Sequence, residues 1–153
     1  MISQAQCGQA LFCVNDRDSQ QKLARILEEL GYQLTICSQA EKAVEQIKAT
    51  AYRVIILEEG FEGGLPWPES LIWQELAQMP MSLRRQTFVI LLARGGKHLD
   101  PMAAFSLSAN LLLDKGRVRE DERLGAVLEQ EILNYTKFYQ VYERVKEQIS
   151  QGR

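Results

Sequence analysis

The sequence is short of the residues that build metal sites, disulfide frameworks and membrane spans. A single histidine, His98, leaves no His-based metal cluster to be assembled within one chain. Three cysteines, Cys7, Cys13 and Cys37, form no C-x-x-C pair and cannot all pair with one another, so Cys13 and Cys37 are expected to be small buried hydrophobes on strands. No apolar stretch approaches the ~20 residues that cross a bilayer. The first ten residues contain no Lys or Arg and no apolar run, which predicts the absence of a secretory signal and a cytoplasmic location. No G-x-G-x-x-G or P-loop pattern follows the first apolar segment. Charge of one sign is also missing: 18 basic against 20 acidic side chains leave a formal charge of -2, with no polycationic footprint for nucleic acid or an anionic membrane. Proteins or small ligands are the expected partners.

What is present fits one globular domain of 153 residues, with 46% hydrophobic and 25% charged residues. The organising stretch is residues 51–64. Within it, Val54, Ile55, Ile56 and Leu57 are followed by Glu58 and a Gly-rich loop, the pattern of a strand buried on both faces of a parallel sheet. Such a strand delivers Glu58 to the carboxyl edge, where open α/β folds place their sites.

The rest of the chain repeats a strand–helix alternation. Residues 10–14 read as a strand, followed by a helix capped by Asp18 with Gln21, carrying Leu23, Ile26, Leu27 and Leu30, and ended by Gly31. Residues 32–37 form an edge strand with Leu34 and Ile36 alternating. Ser38 with Glu41 predicts a second capping box, before a helix bearing Val44, Ile47 and Ala51. After the central strand, Pro66 and Pro68 bracket Trp67, and a helical pattern over 69–78 ends at Pro80. Residues 87–93 are the most hydrophobic run, hence a second central strand, followed by the basic loop Arg94-Gly95-Gly96-Lys97-His98. His98 reads as a loop residue, and Gly95-Gly96 beside Lys97 as a weak candidate anion nest. Asp100-Pro101 starts a short helix, and Leu111-Leu112-Leu113 make a fifth strand closed by Asp114 and Lys115. A helical pattern then runs over 121–149.

Five βα units of this length, with acidic residues after the first and third strands and Lys after the fifth, resemble the receiver domain of bacterial response regulators over residues 9–131. The resemblance implies an α/β, doubly wound, five-stranded parallel sheet of flavodoxin-like order 2-1-3-4-5, with an extended C-terminal helix. It also implies a phosphoacceptor position at Glu58, where the family has Asp. Asn15 and Asp16 fall on the paired acids that hold Mg²⁺, and only Asp16 keeps the carboxylate. Leu92 falls on the switch hydroxyl and Leu112 on the switch aromatic. Lys115 is retained, but Gly116 replaces the usual proline. Met81-Ser82-Leu83-Arg84-Arg85, Met102-Ala103-Ala104-Phe105 and Ser108-Ala109-Asn110-Leu111 also look similar to degenerate receiver-like domains attached to bacterial zinc-ribbon proteins.

These departures predict a non-enzymatic pseudo-receiver, a signalling module for protein interaction without phosphotransfer, catalytic residues or cofactor. Asp16 is the one remaining candidate ligand for Mg²⁺. Two alternatives stand beside it: an atypical receiver of a phosphorelay that still takes phosphate or Mg²⁺, and a nucleotide or small-metabolite binder using the 94–98 loop. The expected division is a receiver-like domain over 1–133 and a helical extension over 134–153. That extension carries Tyr135, Phe138, Tyr142, Val145 and Ile149 on a four-three repeat, with Tyr139 beside them, an apolar stripe that predicts homodimerisation.

Overall fold

The computed structural model describes residues 8–95 and 97–152; Cys7 and Gly96 lie outside them. The chain forms two compact units, one ending at Glu122 and the other starting at Arg123.

In the first unit, five strands form one sheet: β1 (Gln9–Cys13), β2 (Gln33–Ile36), β3 (Val54–Glu58), β4 (Phe88–Ala93) and β5 (Leu111–Asp114). Their spatial order is β2-β1-β3-β4-β5 with every pair parallel, the flavodoxin-like topology expected from the sequence. All residues of β3 and β4 are buried, whereas β2 at the edge has none buried. The apolar runs thus found the two-sided interior positions, and the alternating segment found the edge.

The helices are α1 (Arg17–Glu29), α2 (Ala40–Ala49), α3 (Leu71–Gln78), α4 (Met81–Arg84), α5 (Pro101–Ser106) and α6 (Lys115–Val118). Right-handed crossovers fix their sides: the step from β1 to β2 runs opposite to the steps β2–β3, β3–β4 and β4–β5, so α1 lies across the sheet from α2, α3 and α5. A continuous core layer joins Leu11, Ile55, Leu57, Val89, Leu91 and Leu112 of the sheet to Ala43, Ile47, Ile72 and Leu76 of the helices.

Two helix starts differ from the expected capping boxes. Asp16, not Asp18, caps α1, accepting the Ser19 N–H, because β1 ends at Cys13 and the chain turns into the helix earlier. At α2 the cap position is Gln39, with no side-chain bond, and Ser38 precedes it. Gly31 does terminate α1 at φ +97°, with its N–H on Glu28 O and that of Tyr32 on Leu27 O. Asp100 caps α5 as expected, accepting from Met102 and Ala103.

The 69–78 helix divides into a 3₁₀ turn (Trp67–Glu69) and α3, because Ser70 interrupts it as an N-cap for Trp73 N. Glu62 reaches the same terminus, accepting from Leu71 N, Ile72 N and the Ser70 hydroxyl, so a carboxylate sits at the positive end of α3. The Arg84 guanidinium clasps the opposite edge of the sheet, donating to Thr87 O, Ser108 O and Asn110 Oδ1, while Asn110 Oδ1 also accepts from Val89 N.

The second unit is α7 (Leu124–Gln151), 28 residues long, or about 42 Å. It starts later than the pattern from 121 predicts. Leu124, Leu128 and Ile132 are buried, and after Ile132 the large apolar side chains are exposed: Phe138 at 71%, with Val141, Tyr142, Val145 and Ile149. No helix among the described residues is long and apolar enough to cross a membrane.

Candidate functional site

The register between β1 and β3 pairs Cys13 with Leu57, so the chain leaving β1 passes directly over the last residue of β3, Glu58. Glu58 is 5% exposed and fully engaged. Its Oε1 accepts the backbone N–H groups of Asn15 at 2.6 Å and Asp16 at 3.0 Å. Its Oε2 lies 2.8 Å from Lys115 Nζ. Lys115 is positioned because β5 passes without a loop into α6, where Asp114 caps the helix through Gly116 N. The Asn15 amide donates to Phe61 O at 3.1 Å, tying the loop after β1 to the loop after β3.

Asp16 borders this pair. Its Oδ2 accepts from the Ser19 hydroxyl at 2.6 Å and from Ser19 N at 3.1 Å. Its Oδ1 faces Arg119 Nη2 at 3.6 Å and Lys115 Nζ at 4.0 Å. The Ser19 hydroxyl, then the Ser19 N–H, Lys115 and Arg119, hold the Asp16 carboxyl below the usual carboxylate range against an opposing effect of burial. Arg119 also reaches Asp18 at 3.3 Å, and Lys22 Nζ donates to the backbone carbonyls of Arg119 and Asp121.

The structure therefore brings Asn15, Asp16, Glu58 and Lys115 together. Leu92 is fully buried and sits in register with Glu58, bringing aliphatic groups rather than a hydroxyl to that side. Leu112 belongs to the core layer, in register with Leu91, and does not reach the Glu58 cluster. The sequence reading missed Ser19 and Arg119. A serine three residues after Asp16 is a legible cap signal; nothing in local pattern marks Arg119, which meets Asp16 only through tertiary folding.

His98 is more than a loop residue: its side chain is 6% exposed and bridges two segments. Nδ1 accepts the Asp114 N–H at 3.0 Å, so the network assigns the proton to Nε2, which donates to Asp121 Oδ2 at 3.0 Å. The neighbouring Gly95 N–H donates to Asp114 Oδ1 and the Arg94 N–H to Glu59 Oε1. The Asp114 carboxylate thus occupies the Gly95 donor of the expected anion nest, whose Gly96 lies outside the described residues. Gly60 adopts φ +81°, a backbone conformation that L side chains rarely take, and the end of the flexible Arg94 side chain lies over it.

Removing Lys115 leaves the Glu58 carboxylate buried without its cation. Lys115→Met is expected to cost about 2–3 kcal/mol, less than a fully buried pair because Lys115 is a third exposed, and Glu58→Gln in the same chain should recover part of it. Urea unfolding of the single and double variants measures this, and additive losses would refute the coupling. The depressed Asp16 carboxyl contributes stability that is present above the ordinary Asp range and lost as pH falls through its lower folded value. Asp16→Asn should therefore flatten the acid limb of a stability–pH profile; an unchanged limb would contradict the assignment.

No family model and no curated protein sequence matches the chain. Solved structures do. The chain superposes with a TM-score of 0.59 on a protein assigned as a response regulator from Chloroflexus aurantiacus, at 21% identity, covering 82% of this chain and 98% of that one. A CheY-like response regulator from Mesorhizobium loti gives 0.53 at 18% identity, over 84% and 97%. A fusion containing the trimeric coiled-coil segment of yeast Spc42 gives 0.61 at 18% identity, over 94% and 88%. At these identities the shared property is the fold: the chain is built as a receiver-like, flavodoxin-fold domain.

Proposed function

We propose that this chain is a non-enzymatic pseudo-receiver, a signalling module that works by protein interaction and is held in one state by its own Glu58. The observation that carries this reading is the closed Glu58–Lys115 pair, in which both carboxylate oxygens are engaged within the chain. In a receiver the equivalent Asp must present an oxygen to a phosphoryl donor. Here the longer side chain reaches the backbone N–H groups after β1 and the lysine after β5, as an acyl phosphate's added anionic charge would.

The donor set does not fit Mg²⁺, which needs near-octahedral oxygen coordination. Asn15 offers an amide where a carboxylate is required, both Glu58 oxygens accept bonds, and Asp16 Oδ2 serves Ser19. Among the described residues no group of three or more His, Cys, Asp or Glu is arranged to hold a metal. Incubation with acetyl phosphate and Mg²⁺ should leave the intact mass unchanged. Glu58→Asp should shorten the acid and open the pocket; labelling of the unmodified chain on Glu58 or Asp16 would favour the atypical-receiver reading instead.

The partner includes a second copy of the chain, joined through α7. Phe138, Tyr142, Val145 and Ile149 present exposed apolar surface on a four-three repeat, with Tyr135 and Tyr139 half-buried on the same stretch. The coiled-coil fusion matches more of this chain than the two response regulators do, consistent with a helix suited to association. In the full chain, Phe138→Glu with Val145→Glu is expected to convert a dimer to a monomer in sedimentation equilibrium while leaving circular dichroism intact. A monomeric parent at about 100 μM, a concentration at which a micromolar complex would be populated, would reject self-association.

A further inference from the structure

The β1–β2 register pairs Gln9 with Gln33 and continues to Phe12 with Ile36. One step further, Cys13 stands beside Cys37, and Cys37 N–H still donates to Phe12 O at 2.9 Å. Both side chains point to the same face: Cys13 belongs to the core layer on the α2–α3–α5 side, and Cys37 packs against that layer. Both are free thiols. Neighbouring strands lie about 4.8 Å apart, inside the Cα separation of about 4.4–6.8 Å that a disulfide spans. Cys37 is partly exposed at the end of the edge strand, where the ladder stops, so the sulfurs can close by a small shift of one chain end.

We propose that Cys13 and Cys37 form a reversible, oxidation-driven latch between the edge strand and β1, with hydrogen peroxide as oxidant. The Cys37 thiolate attacks a peroxide oxygen: an S–O bond forms, the O–O bond breaks, and water leaves after protonation. Cys13 sulfur then attacks the resulting sulfenic acid: an S–S bond forms, the S–O bond breaks, and the oxygen leaves as a second water. The two thiols lose two electrons in total to one peroxide. Burial raises both thiols, Cys13 most strongly, so little thiolate is present and the pair responds slowly to oxidant. The latch fastens β1 at a point two residues before Asn15, whose N–H, with that of Asp16, holds Glu58. This placement does not depend on the pseudo-receiver reading.

The experiment uses the full chain with Cys7→Ser, treated under native conditions with hydrogen peroxide or, separately, with diamide, then alkylated and mapped by non-reducing mass spectrometry. Expected is a single cross-linked peptide joining Cys13 to Cys37 within one chain, lighter by two hydrogens than its parts. It should be released by dithiothreitol, abolished by Cys37→Ser, and accompanied by a reversible rise in Tm. Because Cys13→Ala opens space in the core, Cys37→Ser serves as the deciding variant. Both thiols remaining alkylatable after either oxidant, Cys37 joining two chains, or Cys37 over-oxidising with Cys13 still free would each overturn the latch.

Discussion

The carboxylate of Glu58 is the charge around which the carboxyl edge of the sheet is arranged. A carboxylate buried to 5% exposure survives only with its lone pairs occupied and its charge countered, and here two backbone N–H groups and one ammonium do both. The two N–H groups come from the segment after β1 and the ammonium from the start of α6, so the Glu58 carboxylate ties the ends of β1, β3 and β5 together. The Asn15 amide on Phe61 O adds a neutral tie between the loops after β1 and β3.

Around that centre lies a second ring of pairings. Arg119 joins Asp16 and Asp18, Lys22 holds the carbonyls at 119 and 121, and His98 bridges Asp114 to Asp121. These contacts concentrate on one segment, the stretch from Lys115 to Asp121. Most are exposed enough that each contributes little alone, and their effect is to restrict that stretch to one conformation. The result is a receiver-like sheet whose carboxyl edge is self-satisfied: Asn15, Asp16, Glu58 and Lys115 meet each other. That arrangement is why the pseudo-receiver reading rests on chemistry as well as on the substitution of one acid for another.

The long helix presents a different physical situation. Its buried leucines and isoleucine end at Ile132, and beyond it Phe138, Val141, Tyr142, Val145 and Ile149 are exposed. Exposed apolar surface of this kind is costly in water.

How much could be read from the residues depends on the range over which each feature is decided. The buried centre at Val54–Glu58 and the caps at Gly31 and Asp100 follow from local apolar pattern and glycine conformation, and parallel pairing from crossover handedness, whereas the strand order was legible only through the resemblance to receiver domains. The cap of α1 lies at Asp16, two residues before the one the pattern predicts, and Ser70 divides the helix before Pro80, because pattern does not say where a strand lets go or which serine turns its hydroxyl inward. The acid at the end of β3 was legible from the apolar run before it, and its lysine only through the resemblance to receiver domains. That the acid folds onto the backbone of Asn15 and Asp16, that Arg119 supports Asp16 and that His98 is a buried bridge were settled only by tertiary structure. Hydrogen bonds between residues more than forty apart form only once the sheet register has brought their strand ends within about 3 Å of each other.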